Sequence, residues 1–302
     1  MLNVYEQVDR NKRKSWLVML FFTIFVAGFA YILGQASGYG LSWVGIALVF
    51  SGLMSYTSYY FSDKIILGMS GAREADRKRD FNFYTVAENL AMAAGLPKPK
   101  LYVIEDTAPN AFATGRDPQH AVICATSGLL SKLDRTELEG VISHELSHVA
   151  NYDMRLMSIV TVMVGLVTLL ADWFLRSTLW GRGRDNDRDS NQLQLIFFVV
   201  GIVLALLSPL IANLIKLAIS RRREFLADAS AVKITRFPDG LIRALTKISA
   251  DKEPLEAANK ATAHLYISDP LRNRHDSINL FANMFNTHPP MAERIAALKT
   301  MS

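Results

Sequence analysis

Stretches with no charge at all alternate along this chain with densely polar ones. Trp16 to Gly34 runs nineteen residues without a charged side chain, and Leu41 to Phe61 twenty-one. At about 1.5 Å per residue, each is long enough to cross a hydrocarbon layer as a helix. The link from Gln35 to Gly40 is short and uncharged, so the two predict a helical hairpin. Trp43 and the Tyr59-Tyr60-Phe61 group sit where interfacial aromatics would. A cleaved signal peptide has a shorter apolar run and is not followed at once by another. Leu156 to Ala171, extended by Trp173, Phe174 and Leu175, and Leu193 to Ile215 form a second pair. Pro209 lies inside the latter, as membrane helices tolerate. The Gly181–Asp189 stretch between them is charged and reads as a solvated loop. Four spans in two hairpins are expected, in preference to an apolar hairpin buried inside a soluble domain.

The polar parts carry shorter periodicities. Phe83 to Ala94 reads as an amphipathic helix stopped by Gly95 and Pro97. Lys100 to Glu105, Asn110 to Gly115 and Ala121 to Thr126 read as three short strands of a small sheet, with a turn at Asp117-Pro118. An edge strand of such a sheet can pair with an extended peptide; which strand is the edge is not legible from the pattern. The expected organisation is a tail and first hairpin over 1–61, a first polar part over 62–155, a second hairpin over 156–219 and a second polar part over 220–302. The fold class is a mainly α membrane protein with a small β-sheet.

Composition adds limits. Half of the 302 residues are hydrophobic, and the single cysteine, Cys124, excludes an intrachain disulfide and any Cys₂ or Cys₄ zinc site. Cys124 lies in an apolar run and reads as core. The net charge of +5 comes from basic residues spread along the chain without interleaved aromatics, which argues against nucleic acid and for acidic lipid. Lys12 to Lys14, Lys64, Arg155 and Arg221 to Arg223 flank the spans on one side, whereas the arginines of the second outer loop are mixed with aspartates. That bias puts both termini and the polar parts in the cytoplasm.

The chemistry concentrates in His144-Glu145-Leu146-Ser147-His148. Residues four apart on a helix share a face, so His144 and His148 can meet one metal ion, with Glu145 a step round from them. Zinc held by two imidazoles and a third ligand keeps one position for water, from which Glu145 can take a proton as general base. Asp134 and Glu137 form a capping box that starts this helix, and Leu138, Val141 and Ile142 supply its buried face. A third histidine six residues beyond His148 would extend the pattern, but Met154 stands there. Glu137, Glu139, Asn151, Asp153 and Arg155 flank the motif, which reads as a solvated setting and not an intramembrane one.

The third ligand is sought in Arg221 to Asp228. Glu224 and Asp228 lie four apart on one face, Glu224 to complete a His₂Glu set and Asp228 to accept the other ring N–H of a ligand histidine. The gap from His148 to Glu224 is 76 residues and is filled by the second hairpin. His148 stands eight residues before Leu156, about 12 Å if the helix is continuous, which predicts an ion just above the bilayer surface.

The H-E-L-S-H and E-F-L-A-D motifs, the four apolar segments and the length together resemble the HtpX family of bacterial heat-shock membrane proteases. That family is grouped with the CAAX prenyl proteases among the gluzincin zinc peptidases. The resemblance covers essentially the whole chain and implies a cytoplasmic α+β zinc-protease domain. His144, His148 and Glu224 match the family's zinc ligands, Glu145 its general base and Asp228 its supporting acid. It also implies that Asn110, in an N-A-F strand, contacts substrate, and that His288, in an H-P-P…E-R motif, stabilises the oxyanion. His264 and His275 read as solvated or capping, and His120 as surface. The implied work is cleavage of misfolded or damaged membrane proteins at the inner membrane, with one zinc per chain and lipid and polypeptide as partners. A zinc-dependent holdase without proteolysis, an inert scaffold and a prenyl-protein endopeptidase are the rival readings.

Overall fold

A computed structural model of the protein describes residues 4–37, 42–165, 221–258, 262–268, 270 and 289–301. Most of the third and fourth apolar segments, the Gly181–Asp189 loop, His275 and His288 lie outside the described residues.

Two long helices open the chain, α1 (Val4–Ser37) and α2 (Ser42–Met69). They pack against each other antiparallel, Trp16 near the start of α1 stacking on Tyr59 toward the end of α2 at 6.0 Å between ring centroids. The hairpin is as anticipated, but both helices overrun their apolar cores. Residues 4–15, a polar tail in the sequence, are helical because neither glycine nor proline interrupts them. Among the described residues one helix, over Val44–Met69, is long and apolar enough to cross a membrane. Trp16, Leu17, Leu20 and Ile24 on α1 and Ile46, Val49 and Leu53 on α2 are exposed.

The sheet holds β1 (Arg73–Glu74), β2 (Lys100–Ile104), β3 (Ala111–Thr114) and β4 (Val122–Thr126) in the order β1-β2-β4-β3. β2 and β4 are parallel, and the outer pairs are antiparallel. The three anticipated strands are present; β1, two residues long, carries no alternation to find. Every residue of β3 and β4 is buried, since both faces of the sheet are covered. Ala111, Ala113, Ile123 and Ala125 face one apolar cluster with α3 (Phe81–Ala93). Phe112, Val122 and Cys124 face another, built with Val18, Met19 and Phe22 of α1 and Ile66 of α2. Alternation along a strand thus lets one sheet join the apolar hairpin to the polar part. α3 stops where Gly95 takes a φ of +66°, a value that costs a side-chain-bearing residue energy.

After α4 (Ser127–Lys132) comes the motif helix, α5 (Arg135–Ala150). The helical backbone of α6 is described over 153–165. Then follow α7 (Arg221–Thr235), α8 (Pro238–Ala250) and α9 (Met291–Lys299). α5 and α6 are not one continuous helix: Asn151 caps α5 and Tyr152 sits at φ +58° between them. The distance argument that put the metal just above the bilayer therefore loses its premise. The left-handed residue, at a cost of about 1–2 kcal/mol, turns the chain so that Asp153 faces back toward α5. Lys12 and Arg155 lie over the Tyr152 ring and hold it there.

Candidate metal centre

α5 is anchored at both ends of its function. Asp134 accepts from Glu137 N–H at 2.9 Å while Glu137 Oε2 accepts from Asp134 N–H at 2.8 Å, completing the anticipated capping box. Halfway along, a β-carbon on Gly140 would lie 2.7 Å from the Leu241 backbone nitrogen, so α5 and α8 touch backbone to backbone. This contact fixes the depth at which the next turn, His144 to His148, is held.

His144, Glu145 and His148 are all buried, the two rings edge to face with centroids 4.8 Å apart. Glu224 comes from α7, which packs on α5. His144 Nε2 and His148 Nε2 are 3.2 Å apart, and each is 3.6 Å from a carboxylate oxygen of Glu224. A tetrahedral ion with arms of about 2.0–2.1 Å has ligand-to-ligand edges of about 3.3–3.4 Å; the histidine pair and each histidine's distance to its own Glu224 oxygen come close to this, and one ligand atom from each of the three residues lies within 4.8 Å of the others. The chemistry of the donor set fits as well. His144 Nδ1 is 2.9 Å from Asp228 Oδ1, and His148 Nδ1 is 3.3 Å from Asp153 Oδ2. With each Nδ1 hydrogen given to its carboxylate, a neutral ring turns Nε2 as an acceptor toward Glu224, and Arg294 lies close by, Nη2 3.4 Å from His144 Nε2 and Nη1 3.5 Å from a Glu224 oxygen. Buried acceptors set face to face in this way are stabilised by positive charge among them. Of the described residues, His144, His148 and Glu224 are the His, Cys, Asp and Glu group able to converge on an ion.

The electrostatics point the same way. Burial and the charge of Arg294 oppose protonation of His144, yet hydrogen bonds to Asp228 and Glu224 outweigh both and lift its pKa to about 9. Burial likewise opposes protonation of His148, and Asp153 with Glu224 reverses it. The pocket favours positive charge between its carboxylates. Burial raises the Glu145 carboxyl above its ordinary value, against the pull of the two histidines. Asp228 is buried too, which would raise its pKa, but Arg294 holds it below the usual carboxylate range.

A model of peptidase family M48 matches residues 77–302. The chain belongs to that family. It is 44% identical over 302 residues to a Protease HtpX homolog of Dictyoglomus turgidum, covering 98% of this chain and 94% of the relative. With the Protease HtpX homolog of Caldanaerobacter subterraneus subsp. tengcongensis it shares 41% over 300 residues, covering 99% and 98%. The crystal structure of S. mikatae Ste24p superposes with a TM-score of 0.51 at 18% identity, over 94% of this chain and 66% of that one, and shows the shared fold alone. The resemblance read from the sequence motifs is borne out, and the chain is a metalloprotease hydrolase of the M48 family.

Two supports of this M48 site were missed from the residues alone. Glu137, Glu139, Asn151, Asp153 and Arg155 read from the sequence as solvated flanks of the motif; all but the half-buried Glu139 are buried and hydrogen-bonded inside the protein. Their polarity reflects partners within the fold and not exposure. In the sequence Arg294 stands out only as part of the H-P-P…E-R motif. It is fully buried and clamps Asp228, with Nε and Nη2 at 2.9 and 2.6 Å from its two oxygens. The Glu-Arg pair after two prolines was the available signal. His264 is not solvated either: it is buried, with Nε2 2.9 Å from Thr161 Oγ1. His120 is on the surface beside Asp117, as anticipated, and His288 lies outside the described residues.

β3 is an outer strand, and the chain itself lies along part of it. Ile267 N–H donates to Ala111 C=O at 3.0 Å. The Asn110 amide donates to Ser268 C=O at 2.9 Å and accepts from Ser268 N–H at 3.2 Å. Arg294 Nη1 donates to Ile267 C=O at 3.3 Å, so one guanidinium joins this strap to the acid behind His144.

Proposed function

We propose that this chain is a zinc endopeptidase fixed in the bacterial inner membrane, cutting misfolded or damaged membrane proteins from the cytoplasmic side. The observation that carries the reading is the convergence of His144, His148 and Glu224, with both histidine Nδ1 atoms engaged by carboxylates. One zinc ion per chain, held by these three residues, would polarise the scissile carbonyl and acidify a water. Glu145 accepts the proton as the water oxygen attacks the carbonyl carbon, and returns it to the departing amine nitrogen as the C–N bond breaks. Asp228 and Asp153 hold the ligand tautomers through each turnover. The family resemblance adds His288 as an oxyanion donor and Asn110 as a substrate contact.

An extended polypeptide would pair with the outer edge of β3, taking the place of Ile267 on Ala111 C=O. The apolar side chains exposed along α1 and α2 support a lipid-embedded hairpin. With the two remaining apolar segments this makes four spans, and the polar parts 62–155 and 220–302 combine as one catalytic unit. The test uses the full-length protein in detergent with a disordered protein as substrate. Wild type should carry about one zinc and cleave. Glu145→Gln should keep the zinc and lose about 10²–10⁴-fold in rate. Undiminished cleavage by that variant would end the mechanism, and a metal-bearing wild type that never cleaves would favour a holdase.

A further inference from the structure

The carboxylate that orients His148 is itself held by the first apolar helix. Asp153 turns Oδ2 to His148 Nδ1 at 3.3 Å, and its other oxygen accepts from Asn11 Nδ2 of α1 at 2.7 Å. The same amide nitrogen donates to Asn151 C=O, just beyond the end of α5, at 2.9 Å. Two hydrogens on one nitrogen thus serve the two groups that follow the motif helix. Asn11 is 3% exposed and Asp153 4%, although Asn11 stands among Arg10, Lys12, Arg13 and Lys14. A helix serving only as an anchor would leave this turn to water and headgroups; here its one uncharged member points into the protein. Arg223, beside Glu224 on α7, approaches the same Asp153 oxygen at 3.4 Å. Asp153 is therefore shared between α1, α5 and α7.

We infer that Asn11 is a positioning residue of the metal centre: by holding Asp153 toward His148, this one side chain of α1 makes metal affinity depend on its amide. The inference rests on His148 being a metal ligand, as proposed above. Without the amide, Asp153 Oδ1 and Asn151 C=O each lose a buried donor, and the carboxylate is free to turn toward Arg223. His148 then loses the acceptor that sets its tautomer and ring orientation. Groups that orient a ligating histidine are worth about 10–100-fold in metal affinity, and Asn11, one contact further out, should fall near the tenfold end.

The test is zinc affinity, by chelator competition, of full-length protein in detergent. Asn11→Ala should bind zinc about tenfold more weakly. In an Asp153→Ala background the same change should add nothing, because both act through one path. Met19→Ala, a buried α1 position away from Asp153, should lower the unfolding temperature and leave zinc affinity within about twofold. If Asn11→Ala does not fold, Asn11→Ser carries the same expectation. Unchanged affinity in the Asn11 variant, an additive double mutant or an equal loss in Met19→Ala would each overturn the inference. His148→Ala separates it from its premise: zinc retained there refutes the ligand set, and the inference with it. Zinc lost there but unaffected by Asn11 refutes the inference alone.

Discussion

Arg294 and Asp228, 66 positions apart, close a two-point fork at 2.9 and 2.6 Å in a place with no exposure to solvent. Asp228 Oδ1 also meets His144 Nδ1, so a guanidinium from the last helix sets the charge behind one histidine of the candidate metal centre. A carboxylate buried without such a partner would shed its charge and with it the tautomer of His144.

Removing the arginine should therefore cost more than removing a surface charge. Arg294→Ala is expected to destabilise the fold by about 3–5 kcal/mol, because Asp228 must then either stay charged without its partner or take up a proton to remain buried. Arg294→Lys keeps the charge but not the fork, and should lower zinc affinity by about 10–100-fold. Unfolding midpoints and chelator competition measure the two effects. Wild-type affinity in the lysine variant would remove the arginine from the site.

Gly140 offers a test of how the motif helix is seated. A methyl group there meets the Leu241 backbone at 2.7 Å, and one on Gly240 meets Thr136 C=O at 2.5 Å. Gly140→Ala must push α5 and α8 apart, at a cost of about 1–3 kcal/mol. Because His144 follows within about one turn, specific activity should fall along with stability. Full activity together with an unchanged melting temperature would mean that the helices do not meet there.

Asn110 is committed on both sides of its amide to Ser268. Asn110→Ala leaves a buried N–H and a buried C=O without partners and should cost about 1–3 kcal/mol. The 262–268 strap should then be cut faster by an added protease under native conditions. Protection equal to wild type would show that the strap is held by other contacts.

Metal removal should register in stability. A ligand that binds only the folded state stabilises it by about 4 kcal/mol when present at a thousand times its dissociation constant. Chelator treatment should lower the unfolding midpoint and zinc should restore it, with His144→Ala unresponsive to either. A midpoint indifferent to chelator in the wild type would speak against a bound ion.

Much of this could be read one residue at a time. The capping box of Asp134 and Glu137, the shared face of His144 and His148, the stop at Gly95 and the three strands all depend on neighbours within a few positions, where helix and strand geometry leave little choice. The resemblance carried by three separated motifs, the apolar segments and the length supplied the family. Asp153 was misread for a physical reason: a polar residue next to a helix end looks solvated until the turn at Tyr152 brings it back against His148. Nothing local distinguishes a buried acid from an exposed one when its partners come from elsewhere in the chain.

Amino-acid order alone was enough to specify the local elements, the apolar hairpin and the three residues, His144, His148 and Glu224, that converge in the fold. Packing decided who supports them: Asn11 on Asp153 across 142 positions, Arg294 on Asp228, and Ser268 on Asn110 across 158. Those contacts form only once helices and sheet have closed the long loops between them. Hydrogen bonds of that kind have no period and no spacing rule, because their geometry belongs to the assembled layers and not to the chain.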